Sequence, residues 1–304
     1  MEVILALGAA LLFALATVLQ QKEAAAAPDH QALRAGFLLK LARRPVWLAG
    51  MATDMVGYVC QAAALGIGRL AVVQPLLATM VIFALPIGAK VTGHRTTRRE
   101  VACAAVVAAG LGAFLVLADP GGGRSDATAL GWTIVGAVSA PLCVALVMLS
   151  RGRAPALKAT LLGIATGILW GISAALTKAV VDHLDEGVLQ LLVDWHVYAL
   201  VVVGWASLTL AQASLQTGAL APAIATQATM DPIASVVIGT LAFHESIHAS
   251  TVGVVGAALA LTVMLAGLAV LAAAQQTVQH PPPFPSPEGG AAAARARAII
   301  PGPP

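Results

Sequence analysis

Apolar runs of roughly membrane-spanning length, broken by short polar or glycine-rich segments, divide the chain up to Ala274. Their limits predict helices over Val3–Gln21, Val46–Gly66, Leu70–Val91, Glu100–Ala118, Thr128–Ser150, Ala159–Val181, Asp194–Gln216, Ala219–Phe243 and Ser250–Ala274. These are nine spans, referred to as the first to the ninth. The seventh has a short amphipathic lead-in from Val188. Between the fourth and fifth, Asp119–Ala127 with Gly121-Gly122-Gly123 reads as a flexible loop. Residues 275–304, rich in Pro, Gly and Ala, read as a disordered tail. The first run has Glu2 ahead of it, no basic lead and no clear cleavage site, so it reads as a retained helix and not a signal peptide.

Composition supports this all-α, polytopic bundle. The 304 residues are 59% hydrophobic and 10% charged, where soluble domains carry about a quarter charged residues. Aromatics are few, so Ala, Gly, Val and Leu must do the packing, as suits close helix contact in lipid. Cys60, Cys103 and Cys143 lie inside apolar runs without metal-ligand spacing and read as packing residues. A net charge of +3 gives no reason to expect a nucleic-acid partner.

Loop charge predicts orientation. Lys22, Arg34, Lys40, Arg43 and Arg44 follow the first span; Arg95, Arg98 and Arg99 follow the third; Arg151, Arg153 and Lys158 follow the fifth. The loops after the even spans hold only Arg69 and Arg124, and the loop after the sixth is acidic, with Asp182, Asp185 and Glu186. The positive-inside rule then puts the N-terminus outside and the C-terminal tail in the cytoplasm, in a cell membrane crossed several times.

The two halves resemble each other. Gln20-Gln21-Lys22 corresponds to Leu176-Thr177-Lys178, Gly68-Arg69-Leu70-Ala71 to Gly218-Ala219-Leu220-Ala221, and Gly93-His94-Arg95 to Phe243-His244-Glu245. Five spans precede the second half, an odd number, so the repeat is inverted, a recurrent transporter architecture. The expected division is residues 1–155, residues 156–274 and the tail.

Polar residues inside the spans are the candidate chemistry, because a charge at the bilayer centre costs about 2.5–3.5 kcal/mol and usually marks a pathway. Asp54, Tyr58 and Gln61 share one helix face; Gln227, Asp231 and Ser235 share another. Pro232 lacks an N–H and deprives the Ala228 carbonyl of its helical partner. Thr166, Trp170, Ser173 and Thr177 form a further stripe, Thr209, Gln212 and Gln216 another, and Gln74 adjoins Pro75. The expected solute-binding set is Asp54, Tyr58, Gln61, Trp170, Gln212, Gln227, Asp231 and Ser235, with Asp54 and Asp231 forming an asymmetric pair across the repeat. Structural readings compete: Ser, Thr and Gln serve as interhelical glue, Pro232 as a simple kink, and Asp54 as a protonated structural acid. Lys90 and Lys178, near span ends, are expected to snorkel. Glu245 is expected to cap or turn, and His94, His244 and His248 lack the spacing of a metal site. No nucleophile–base motif is present, so an enzyme is not expected, nor is a cofactor.

Asp231-Pro232 through Gly239, followed by Phe243-His244-Glu245, resembles the penultimate-helix signature of the drug/metabolite transporter (EamA-like) superfamily, and Leu208–Ala221 is similar to the preceding segment. The resemblance covers about Glu2 to Ala274. Most members have ten helices, and many have Gly or Asn where this chain has His244. Nine spans with an outside N-terminus, Lys178, and the Trp47-Leu48-Ala49-Gly50 opening resemble the NIPA-like magnesium-transporter branch. The resemblance implies a secondary transporter of a small solute, with a divalent cation such as Mg²⁺ as the alternative cargo and a homodimer allowed. A non-transporting scaffold or complex subunit is the reading of another class.

Overall fold

The computed structural model describes residues 1–25, 44–92, 97–184, 187, 190–247 and 251–279. Arg34, Lys40 and Arg43, the Gly93–Arg95 turn with His94, Asp185, Glu186, Val188, His248 and residues 280–304 lie outside them.

The helices are α1 (Glu2–Ala25), α2 (Pro45–Ile67), α3 (Leu70–Leu77), α4 (Met80–Thr92), α5 (Arg98–Ala118), α6 (Ala129–Ser150), α7 (Pro155–His183), α8 (Trp195–Leu215), α9 (Leu220–Leu241) and α10 (Thr251–Gln279). Every expected span is helical, but the third is broken in two. Thr79 N–H and its hydroxyl both bond the Leu76 carbonyl, tightening the turn between α3 and α4. The ends also move. α7 starts at Pro155, which suits a first helical position, and α10 runs five residues past Ala274 into the expected tail. Side-chain caps explain other starts: Thr97 and Glu100 form a capping box on α5, Thr128 caps α6 and Asp194 caps α8.

Among the described residues, seven segments are long and apolar enough to cross a membrane, α3 and α4 counting together as one. The remaining two helices, α2 and α9, carry the mid-helix acids Asp54 and Asp231. The molecule is a multi-pass membrane helix bundle. Large apolar side chains cover its outer surface, such as Val201, Val202, Trp205 and Leu208 on α8, the reverse of a soluble domain. On α6 only Cys143 and Ser150 are buried, so that helix lies at the margin against α7.

Packing relies on small residues. α1 packs on α2, α5 on α10, and α7 on both α8 and α9. At the α5–α10 crossing, a Cβ at Gly110 would come within 2.9 Å of the Met264 backbone. The three cysteines are unpaired: Cys143 is buried, and Cys60 and Cys103 pack against the core, as expected.

One expected loop is ordered. Pro120–Gly122 forms a strand, β1, paired antiparallel with β2 (Glu245–Ile247). The local reading of three glycines missed a partner 125 residues away, where Ser246 Oγ bonds the Gly121 carbonyl. Alternate connections thus gather at one end: β1 with β2, Glu2 with Arg69 (3.6 Å), and Arg124 N–H with the Phe243 carbonyl.

Candidate functional site: polar clusters around α7

α7 is the helix on which the polar groups converge. Gly163, Gly167 and Gly171 recur every four residues, so they line one face. That face receives α9 in parallel. A Cβ at Gly167 would lie 2.6 Å from Met230 Cβ and 3.0 Å from Asp231 N, and one at Gly171 would lie 2.8 Å from Ala234 Cβ. Small residues at this spacing let two helix backbones meet closely. The Asp231-Pro232 segment is thereby fixed against the middle of α7. Ser235, fully buried, lies 3.4 Å from Asp231 Oδ1.

α3 also packs on α9, with Leu70 beside Gly239 and the α3 N-terminus at the C-terminal end of α9. The two are antiparallel. At about 1.5 Å per residue, Gln74 lies roughly level with Ser235 and the α3–α4 break roughly level with Asp231. Gln74 and Gln227 are buried, and among the described residues neither side-chain amide nitrogen has a hydrogen-bond partner; Ser173 Oγ on α7 also lacks one. Orphaned polar atoms are rare in a packed interior, where each costs about 1–3 kcal/mol.

The other expected residues distribute unevenly. Tyr58 Oη bonds Thr177 Oγ1 at 3.0 Å, tying α2 to α7, while Thr177 donates to its own helix at Ser173. Asp54 and Gln61 are half-buried, as is Trp170; Tyr58 is exposed apart from its hydroxyl contact. Thr166 is buried and bonds Leu162 within its own helix. No hydrogen bond joins Asp54 to Asp231, Gln227 or Ser235 among the described residues. α2 and α9 each pack on α7 rather than on one another. With Tyr58 beside Thr177, Asp54 lies about one turn lower, offset along α7 from Asp231 by on the order of 9 Å.

Two expectations are corrected. Gln212 does not face this interior: Thr209, Gln212 and Gln216 are all exposed. Buried Ser207, Ala211 and Ser214 set the phase of α8 instead, Ser214 donating to the Ala159 carbonyl of α7 at 3.0 Å. The helix is apolar nearly all round, so its sequence alone did not reveal which side faced inward.

Lys178 does not snorkel. It is buried, donates to the Gly68 carbonyl, lies 3.4 Å from Glu245 Oε1 and sits over the Phe243 ring at 5.7 Å. Glu245, also buried, does act as a cap, but on a distant helix: its carboxylate accepts from Leu70 N–H (2.7 Å) and Ala71 N–H (2.9 Å), the first amides of α3. A carboxylate at a helix N-terminus is favoured by the unsatisfied amides and the dipole there. This pairing outcompetes snorkelling because both charges are satisfied where they lie. Lys90, in contrast, is exposed in the last turn of α4. His244, at the turn before Glu245, takes a left-handed φ of 53° that Gly or Asn would adopt more easily.

A third cluster escaped the sequence reading. His183 ends α7 and Asp194 caps α8. Asp194 Oδ2 lies 3.1 Å from His183 Nδ1; its Oδ1 lies 2.7 Å from His196 Nδ1 and accepts the His196 amide at 3.0 Å. Burial alone would raise the Asp194 carboxyl, but the His196 amide, the two rings and the His196 charge hold it below the usual carboxylate range. An Asp two residues before a His at a helix start was the available signal. The contribution of His183, from another helix, was not legible. Beside the cluster, Asp126, Ala127, Ala129, Trp132, Thr133, Trp195 and His196 line an open cleft of about 500 Å³.

No family model matches the chain, and no solved structure matches it. A Corynebacterium glutamicum protein, described as uncharacterized protein Cgl0250/cg0304, is 31% identical over 266 residues, covering 87% of this chain and 92% of that protein. The chain belongs to that protein's family. The similarity extends over most of both chains and is not confined to one helix pair.

Proposed function

We propose that the protein is a secondary transporter of the drug/metabolite type, moving a small polar solute by alternating access across the cell membrane. The observation that carries the reading is the polar interior around Asp231. A carboxylate beside a helix-breaking proline, a broken helix at its level, and amide nitrogens of Gln74 and Gln227 without partners among the described residues resemble the discontinuous-helix sites of transporters. The donors and the acid together suit a solute that offers both hydrogen-bond acceptors and a proton or amine. Asp231, Gln227, Ser235 and Gln74 form the core of the site, Trp170 and Ser173 line it from α7, and Asp54, Tyr58 and Gln61 approach from α2.

Helix pairing supports the inverted repeat. α1 packs on α2 as α7 packs on α8, and the proposed symmetry mates, α5 with α10 and α3 with α9, pack on each other. The loop charges support an outside N-terminus, with the end that gathers β1 and β2 also outside. Amide N–H groups do not coordinate a metal ion, and the two acids sit on helices that do not pack together, so a small solute is favoured over Mg²⁺ as cargo.

The test is uptake of radiolabelled amino acids, amines and nucleosides into proteoliposomes holding the full chain. For any solute accumulated, Asp231→Asn is expected to abolish uptake and Asp54→Asn to reduce it. Parental uptake by Asp231→Asn would remove the site assignment.

A further inference from the structure

We infer that His183, Asp194 and His196 form a binding site for a divalent transition-metal ion of the Zn²⁺ class, at the loop end of the bundle and apart from the polar interior. The three residues come from the last turn of α7 and the first residues of α8, and their ligand atoms lie within 4.8 Å of one another. Both rings turn Nδ1 towards the two oxygens of one carboxylate, at 3.1 and 2.7 Å. A tetrahedral ion with bonds of about 2.1 Å sets neighbouring donors about 3.4 Å apart, so it is seated by opening the two nitrogen–carboxylate contacts slightly and drawing any wider pair of donors together. Two imidazoles and one carboxylate, with the fourth position left to solvent, suit Zn²⁺, Co²⁺, Ni²⁺ or Cu²⁺ rather than Mg²⁺ or Ca²⁺, which prefer oxygen.

A second observation separates this cluster from an ordinary helix cap. His196 is 3% exposed, and its Nε2, on the side away from Asp194, has no hydrogen-bond partner among the described residues. Asp126 Oδ1 lies 3.5 Å from it, too far for a good hydrogen bond but within reach of a small ring shift. That oxygen is itself held in place by Trp132 Nε1 at 2.9 Å and the Ala127 amide at 2.7 Å. A metal-bound imidazole characteristically offers its other nitrogen to an oriented carboxylate, which fixes the ring and raises its basicity. Capping α8 requires only the Asp194 oxygen that receives the His196 amide. It requires neither His183, nor the second ring nitrogen, nor Asp126.

The surroundings allow an ion to enter and stay. The cleft lined by Asp126, Trp132 and Trp195 opens onto His196. Trp195 lies against the His196 ring at 4.0 Å and Trp132 at 5.4 Å, so the ring has little freedom to turn. The carboxylates of Asp194 and Asp126 and the negative end of the α7 dipole favour a cation, and they oppose the positive end of α8.

The test uses the full chain purified in detergent and stripped with EDTA. Titration with CoCl₂ is expected to give a visible ligand-field band that saturates at one equivalent and is displaced by Zn²⁺ but not by excess Mg²⁺. His183→Ala and Asp194→Asn should abolish the band; Asn retains an oxygen to cap α8. Asp126→Asn should weaken Co²⁺ binding by about 10–100-fold, as loss of an outer carboxylate partner does elsewhere. A purely structural cap would leave the wild type without a band, and that result overturns the site, as does a band that survives both His183→Ala and Asp194→Asn. Should a variant not fold, the wild type still decides: Co²⁺ must quench tryptophan fluorescence, and Trp195→Phe must remove most of that quenching. Quenching unchanged in Trp195→Phe refutes the site. None of these readouts involves transport, so the site can fail while the transport reading stands, and the reverse.

Discussion

The interior around Asp231 and the junction around Lys178 and Glu245 use similar residues to opposite ends. Both set an acid against α7, Glu245 buried and Asp231 half-buried. At the junction, Glu245 accepts two amides and faces Lys178, whose ammonium also bonds the Gly68 carbonyl. In the interior, among the described residues, Asp231 has only a long contact to Ser235, and the glutamine nitrogens have no partner. A satisfied polar network rigidifies the structure around it, whereas unsatisfied groups are tolerated where a ligand completes them. The junction therefore acts as a clamp joining α3, α7 and the α9–α10 turn at one end, and the interior is the part left open for work.

The contrast is sharpest if the clamp is broken. Glu245→Ala leaves a buried Lys178 ammonium without its counter-charge and α3 without its cap. Removing one partner of a buried pair costs about 3–5 kcal/mol, so this variant is expected to show the largest fall in thermal melting temperature in detergent, or to be lost from the membrane fraction. A melting curve matching the parent would mean that the pair is dispensable.

A smaller effect is expected in the interior. Gly167→Leu forces a side chain against Met230 Cβ and the Gln227 and Asp231 backbone, and overpacking of this kind costs about 1–3 kcal/mol. Because it displaces α9 where Asp231 sits, transport should fall more than stability does. Equal loss of both would make α7–α9 contact a purely structural matter.

The smallest effect is a pH limb at the loop end. The Asp194 carboxyl is held below its ordinary range, so its contribution to stability is complete above about pH 4 and is lost as pH falls through the lower folded value. The melting temperature of EDTA-treated protein should decline on acidification below about pH 4, and Asp194→Asn should flatten that decline. A decline of the same slope in Asp194→Asn would assign it to other groups.

The helices were legible because membrane spans are long and their apolar runs are interrupted by charge. The break at Thr79 was not, since neither Gly nor a second proline marks it, and Pro75 and Pro86 both lie inside the flanking helices. The glycine stripe on α7 was present in the spacing of Gly163, Gly167 and Gly171, yet its partner became evident only once α9 was placed on it. Pairings across long separations were the least legible: Lys178 with Glu245, β1 with β2, and Glu245 with the α3 amides. Each depends on which loops share an end of the bundle. Asp54 and Asp231 stand out in the sequence as acids inside spans, but that α2 and α9 each pack on α7, and that Gln212 is exposed, came only with the helix packing.

Solvent access at Gln227 tests the open interior most directly, and it requires no knowledge of the solute. Gln227→Cys, in a background with Cys60, Cys103 and Cys143 replaced by Ala, would be treated with a membrane-impermeant maleimide in right-side-out and inverted vesicles. The account predicts labelling of Cys at this position, with an alternating-access carrier reacting from both sides. A thiol inert from either side, in protein that remains folded and inserted, would contradict the account.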